Sequence, residues 1–247
     1  MGTGRVAHAV LAAGLVCLAF SLPAAATVVT APDNGFGTVD MPPVLGVYYT
    51  PNDDMLILNG LPPGTTVQID SSLGGFSGLA HGAGGSLGGG TDAGNALLDF
   101  PMIGTGALAG YLHHVMIPVV FEMDNAPRGA PFSSPQSFPA TLFQLQGQLP
   151  AGDPDFDLLR ITGGDNFGLP SPGHTTLTDI GGGTWNVDSF FDVTYRIDFV
   201  GHPGGPLGGM SGSTTGTIRM QLGESIPVPG AAAVLGLGGL AVLRRRR

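Results

Sequence analysis

The stretch TWNVDSFFDVTYRIDFV, Thr184 to Val200, decides the fold class of this chain. Its odd-numbered positions carry large apolar side chains with one serine among them, whereas most even-numbered positions are polar. A β-strand places alternate side chains on opposite faces, whereas a helix would mix the two sets. The stretch therefore predicts one long strand with an apolar inner face. Its length favours a bend or bulge near Ser189–Phe190.

Shorter segments on both sides of this strand have the same β-forming character. Towards the C-terminus, Thr215 to Leu222 alternates again and turns Ile218, Met220 and Leu222 inward. Towards the N-terminus, Gly/Pro/Asn turn signals separate further predicted strands, which lie within residues 44–50, 55–58, 65–70, 108–124 and 141–149.

Two of these segments allow finer predictions. In residues 141–149, the alternation places Phe143, Leu145 and Leu149 on one face. In residues 108–124, Pro118 predicts a sheet edge or a bulge, because proline cannot donate a ladder hydrogen bond.

Glycine occurs throughout the chain and is concentrated in one region. Residues 71–95 contain ten glycines and few large apolar side chains, which predicts a long loop. No segment between residues 27 and 222 shows a capped helical period, so we expect an all-β domain, an antiparallel β-sandwich. A jelly-roll arrangement is a close variant that the pattern leaves open.

Charge and composition exclude several classes of function. The 247-residue chain has 18 acidic and 9 basic residues, and its one cysteine is Cys17. Such an acidic surface repels nucleic acid. The chain also contains no lysine, which removes lysine Schiff-base chemistry and the phosphate-binding lysine of a P-loop.

The N-terminus has the form of a secretory signal peptide. Arg5 supplies the positive charge, an apolar run follows, and Ala24-Ala25-Ala26 forms a small-residue cleavage site. We expect residues 1–26 to be the signal peptide, with cleavage after Ala26, so that Thr27 starts the exported domain. Cys17 would leave with the peptide, so the exported domain would contain no disulfide.

The C-terminus, SIPVPGAAAVLGLGGLAVLRRRR, has three parts in a fixed order. Pro227-Val228-Pro229 precedes an apolar run that is long enough to cross a bilayer as a short helix, and four arginines end the chain at what would be the cytoplasmic face. The basic block consists of Arg244, Arg245, Arg246 and Arg247. A plain transmembrane anchor is the alternative interpretation, although an anchor does not need the Pro-x-Pro element.

This tail resembles the PEP-CTERM sorting signal of bacterial exosortase substrates. Pro227 and Pro229 match the short motif, and Val228 stands where the family has its typical glutamate. The resemblance is confined to residues 223–247 and implies an exosortase-type sorting enzyme and the secretion machinery as partners. It also implies an inner-membrane intermediate, followed by release to the cell surface or the extracellular matrix.

An aspartate cluster in the segment GDPDFDLLRITGGD is the candidate metal site. Alternate carboxylates in a loop can converge on calcium, although the glycine and distal glutamate of an EF-hand loop are absent. The candidate calcium ligands are Asp153, Asp155, Asp157 and Asp165. A solvated turn that enters a strand explains the same pattern without any cofactor.

The sequence contains no recognisable catalytic motif. His113 and His114 are adjacent, so on a strand they point to opposite faces, and Gly209 to Ser213 departs from the G-x-S-x-G nucleophile pattern. We therefore expect no enzymatic activity. The expected function is that of a secreted or cell-surface structural protein of the matrix, with exopolysaccharide as a candidate partner. A secreted carbohydrate-active enzyme, or a carbohydrate- or calcium-binding module, is the alternative for residues 27–222.

Overall fold

The computed structural model describes residues 28–51 and 54–223, which form strands and two short 3₁₀ turns. The first six strands are β1 (Val29–Pro32), β2 (Val47–Tyr49), β3 (Met55–Ile57), β4 (Val67–Ile69), β5 (Ser72–Gly82) and β6 (Gly90–Gly104). The next six are β7 (Leu112–Asn125), β8 (Gln136–Gln148), β9 (Phe156–Gly163), β10 (Pro172–Gly181), β11 (Thr184–Gly201) and β12 (Ser211–Gly223).

The prediction of an antiparallel all-β fold is confirmed, since every named strand pairing is antiparallel. Hydrogen-bonded pairings join the strands of the described ranges into one large sheet. In residues 28–51 and 54–223, no helix combines the length and hydrophobicity needed to cross a membrane. The predicted signal peptide and the predicted C-terminal helix lie outside these ranges.

Eight strands pair in a cycle that surrounds the core. Starting from β11, the order of neighbours is β12, β2, β5, β6, β7, β8 and β9, and β9 pairs again with β11. The remaining strands attach to this cycle: β4 to β6, β3 to β4, β10 to β8 and β11, and β1 to β11. The apolar inner faces of the paired strands form one cluster of buried side chains.

β11 confirms the predicted alternation along its whole length. All eight of its odd-numbered residues from Trp185 to Phe199 are buried. Of the expected bend or bulge near Ser189–Phe190, the bulge is wrong, because the described registers run through this point without a shift. Instead the strand changes neighbours there: its first half pairs with β10 and β1, and its second half pairs with β12 and β9.

The predicted loop over residues 71–95 is the main error in the predicted fold. β5 and the start of β6 occupy this region and form an antiparallel pair. Gly75 and Gly78 adopt φ angles of 63° and 61°, close to two shifts in the β5–β6 register. Glycine adopts this left-handed conformation at little cost, so here it makes bulges in a strand instead of ending the strand.

A bulge also changes the predicted inner face of β8. The β7–β8 register shifts between Gln144 and Leu142, which leaves Phe143 as the extra residue. Leu142 and Leu145 are therefore the buried positions, while Phe143 is half-buried. Pro118 lies where the sequence predicts, because β7 pairs with β8 only from Val119 onwards, so Pro118 ends a stretch of sheet edge.

Candidate functional site

The main cleft of the described chain lies between β1, β5 and the segment of residues 33–46, which we call the cap loop. Its apolar compartment has a volume of about 410 Å³. A second, polar compartment of about 310 Å³ continues from it towards β6 and β7. The two compartments share three lining residues, Asn34, Asp40 and His81.

Trp185 holds the start of the cap loop. Its indole Nε1–H donates to Asp33 Oδ2 at 3.0 Å, and Asp33 Oδ1 accepts the backbone N–H groups of Gly35 and Gly37. The hydrogen bond from Trp185 is the main cause that lowers the pKa of Asp33 below its ordinary value of 3.8. The apolar inner face of β11 thus provides an anchor for the loop.

Arg128 and Gln136 hold the middle of the cap loop. Arg128 donates to the backbone carbonyl of Val39 and to Thr38 Oγ1, and its guanidinium lies 5.0 Å from the ring centre of Phe138. Gln136 Nε2 donates to the carbonyl of Gly37 at 2.6 Å. Burial lowers the pKa of Arg128, opposed by the charges of Asp92 and Asp40.

Asp92 is the buried carboxylate of the polar compartment. Its Oδ1 lies 2.5 Å from His81 Nδ1, and its Oδ2 accepts a hydrogen bond of 2.6 Å from Asn125 Nδ2. Arg128 approaches the same Oδ2 at 3.9 Å. Burial raises the pKa of Asp92 above its ordinary value of 3.8, against the lowering effects of His81, Arg128 and Asn125.

Asp40 and the outer edge of His81 face both compartments. Asp40 Oδ1 accepts a hydrogen bond from Asn34 Nδ2, and Asp40 Oδ2 lies 3.8 Å from His81 Nε2, beyond hydrogen-bond distance. In the neutral imidazole that carries its proton on Nδ1, directed at Asp92, Nε2 is an acceptor that faces the cleft. The cleft therefore presents a carboxylate oxygen and an imidazole nitrogen side by side.

The apolar compartment has walls of proline and aliphatic side chains. They belong to Ala31, Pro32, Val39, Pro42, Pro43, Val44, Leu45 and Leu79. Val44 and Leu45 are 61% and 90% exposed, so this wall leaves considerable apolar surface in contact with water. An apolar wall beside a few oriented polar groups is the usual composition of a small-molecule site.

The structure separates the four predicted calcium ligands into three settings. Asp153 Oδ2 lies 3.0 Å from His113 Nε2, and Asp155 Oδ2 lies 3.3 Å from His113 Nδ1, so these two carboxylates hold one imidazole between them. His114, on the opposite face of β7, contacts Asp99 instead, as the alternation along a strand requires.

The other two predicted ligands lie at opposite ends of β9. Asp157 pairs with His202 at 2.7 Å, whereas Asp165, beyond the far end of the strand, accepts hydrogen bonds from Thr141 Oγ1 and Ser171 N–H. Within residues 28–51 and 54–223, no group of three or more His, Cys, Asp or Glu is arranged to hold a metal ion.

The residues predicted for export and sorting fall outside the described ranges. They are Ala24, Ala26 and Thr27 at the N-terminus, and Pro227, Val228, Pro229, Arg244, Arg245, Arg246 and Arg247 at the C-terminus. The processing predictions therefore stay predictions.

The residues of the cleft were not predicted from the sequence. His81 and Asp92 lie in the region that the sequence predicts to be a loop, and they meet because β5 and β6 place them directly opposite each other. The signal was present as a histidine two residues before, and an aspartate three residues after, the glycine-rich turn of residues 83–89. Recognising it requires the hairpin assignment first.

Comparison with known proteins identifies no relative of this chain. No family model, no curated protein and no solved structure matches the chain. The geometry of the cleft and the sequences of the two termini are therefore the observations from which a function is argued.

Proposed function

We propose that this chain is an exported surface or matrix protein, with a sandwich-like β-domain that acts by binding. The signal peptide directs export, and the PEP-CTERM-like tail holds the chain in the inner membrane until an exosortase-type enzyme releases it to the cell surface or matrix. In this proposal the chain is the substrate of the sorting enzyme, not a catalyst.

The observation that carries this proposal is the position of the two processing sites relative to the strands. β1 begins at Val29, two residues after the predicted mature N-terminus at Thr27, and β12 ends at Gly223, before the Pro-x-Pro element at Pro227. Cleavage at both sites would leave every described strand intact. The domain so released, residues 27–229, would contain 18 acidic and 4 basic residues and would have a net charge of −14.

In this proposal Asp92 holds a neighbouring side chain in place and does not react itself. Both oxygens of Asp92 are engaged, one by His81 and one by Asn125. A general base or nucleophile needs a free lone pair that is directed at the substrate. Asp92 is better suited to fix the orientation of His81 than to react.

Intact-mass measurement of the chain from membrane, surface and medium fractions tests the export and sorting steps. We expect a surface or medium species that starts at Thr27 and ends near Pro229. A matched variant, Pro227→Ala with Pro229→Ala, should accumulate in the membrane fraction with Arg247 retained. A parent chain that keeps Arg247 and stays in the membrane would contradict sorting, and a chain that keeps residues 1–26 would contradict export.

A further inference from the structure

We propose that the cleft beneath the cap loop binds a neutral, hydroxyl-rich ligand of the saccharide class. The inference rests on the binding role proposed for the domain and specifies its ligand. Three properties of the cleft lead to it: two neighbouring hydrogen-bond acceptors, an apolar wall next to them, and a charge arrangement that disfavours anions.

The polar compartment offers two hydrogen-bond acceptors side by side. Asp40 Oδ2 and His81 Nε2 are 3.8 Å apart, and both residues line the space that the two compartments share. Thr38 and Arg128 line the polar compartment too, but they donate to Gln136 and to the cap loop. Neighbouring sugar hydroxyls each donate one hydrogen bond, so a pair of them can serve both acceptors.

The apolar wall complements the other face of such a ligand. A pyranose ring carries hydroxyls around its edge and C–H groups on its faces, and C–H groups pack against proline and aliphatic side chains. The wall formed by Pro42, Pro43, Val44 and Leu45 lies beside the shared polar residues. Volumes of 410 and 310 Å³ are within the range of about 300–1,000 Å³ that is usual for ligand pockets.

The charge arrangement disfavours anionic ligands. Asp40 and Asp92 would repel an anion such as a phosphate or a carboxylate. Arg128, fixed by the backbone of the cap loop, partly offsets Asp92 at 3.9 Å, so Asp40 is the carboxylate that remains to meet a ligand. A neutral saccharide avoids the repulsion of an anion and can donate hydroxyl hydrogen bonds to Asp40 and His81.

Calorimetric titration of the full-length chain in a mild detergent tests this proposal. The probes are neutral tetrasaccharides built from glucose, galactose, mannose or N-acetylglucosamine, with inorganic phosphate and hexylamine as charged comparisons. We expect saturable binding of at least one tetrasaccharide, and no saturable binding of phosphate or hexylamine. The substitutions Asp40→Ala and His81→Gln should each weaken the binding at least about tenfold, the factor that corresponds to one lost hydrogen bond of ~1.4 kcal/mol.

Asp157→Asn is the matched control, because Asp157 and His202 form a similar carboxylate–imidazole pair outside the cleft. Its affinity should equal that of the parent chain, and the melting temperature of each variant should show that it is folded. The proposal is overturned if no tetrasaccharide binds, if hexylamine or phosphate binds more tightly, or if Asp40→Ala and His81→Gln leave the affinity unchanged. Failure of the export test leaves these binding readouts unaffected, so the two proposals fail separately.

Discussion

At Asp92, burial and the neighbouring polar groups shift the pKa in opposite directions. It is 5% exposed, and burial raises its pKa although His81, Arg128 and Asn125 all act to lower it. A carboxylate with a raised pKa in the folded state takes up its proton more readily there than in the unfolded chain. Its contribution to stability is therefore greatest below the ordinary value of 3.8 and is lost as the pH rises through the folded pKa.

The substitution Asp92→Asn should remove this pH dependence. Asn cannot ionise, so the melting temperature of the variant should rise relative to the parent chain as the pH increases from about 3.8 through the folded pKa, and then level off. Thermal unfolding between pH 3.5 and 8, repeated in a His81→Gln background to remove the neighbouring imidazole, measures the difference. A difference that stays constant or shrinks with rising pH would contradict the assignment.

Gly37 determines how closely the cap loop can approach residue 132. Its φ is +71°, and an added Cβ would lie 2.4 Å from the backbone nitrogen of Phe132. Gly35 has a similar φ of +89° but nothing within 4 Å of the added Cβ. Both glycines thus have a positive φ, but only at Gly37 would an added Cβ collide with neighbouring atoms.

Gly35→Ala should therefore destabilise the domain by about 1–2 kcal/mol, the cost of a left-handed alanine. Gly37→Ala should cost more, because backbone atoms must also move, and it should impair binding in the cleft. Urea denaturation of both variants measures the difference. Equal destabilisation by the two substitutions would show that the close approach to Phe132 is unimportant.

At the scale of elements, β11 shows what a sequence pattern can determine. Its alternation predicts both the strand and the buried face of the strand, because almost every second residue is large and apolar. The β5–β6 hairpin gives no such signal, since its glycines look like loop residues when each is considered alone. Only pairing with a partner strand shows that Gly75 and Gly78 form bulges, and a partner is a property of the tertiary structure.

Phe190 and Phe191 allow a direct test of the two faces of β11. Phe191 is 3% exposed in the core, whereas Phe190 lies on the outer face beneath Arg219, whose guanidinium carbon is 4.1 Å from the ring centre. Phe191→Ala should cost about 3–5 kcal/mol of unfolding free energy. Phe190→Ala should cost less, about 0.5–1 kcal/mol from the lost cation–π contact together with a modest loss of packing.

Chemical denaturation of the two variants and of the parent chain gives both values. We expect Phe191→Ala to lower the unfolding free energy several times more than Phe190→Ala does. Similar losses at the two positions would mean that the alternation of β11 does not separate core from surface in solution.

At the scale of the whole molecule, the sequence predicts the fold class better than it predicts which strands pair. All-β character follows from local alternation, but the cycle of strand neighbours depends on contacts between distant segments. The cleft shows the same limit, because the chain brings His81, Asp92 and Arg128 together from β5, β6 and the loop after β7. The aspartate cluster, conspicuous in the sequence, is instead divided among His113, His202 and a turn.

The anchoring of the cap loop by β11 also has a consequence for the order of folding. Asp33 and Trp185, which hold the loop, are 152 residues apart, and β1 pairs with β11 alone among the described strands. A chain that emerges from a translocation pore N-terminus first would expose β1 and the cap loop long before their partner appears. The cleft would then be among the last features to form, and an incompletely translocated chain could not yet bind a ligand.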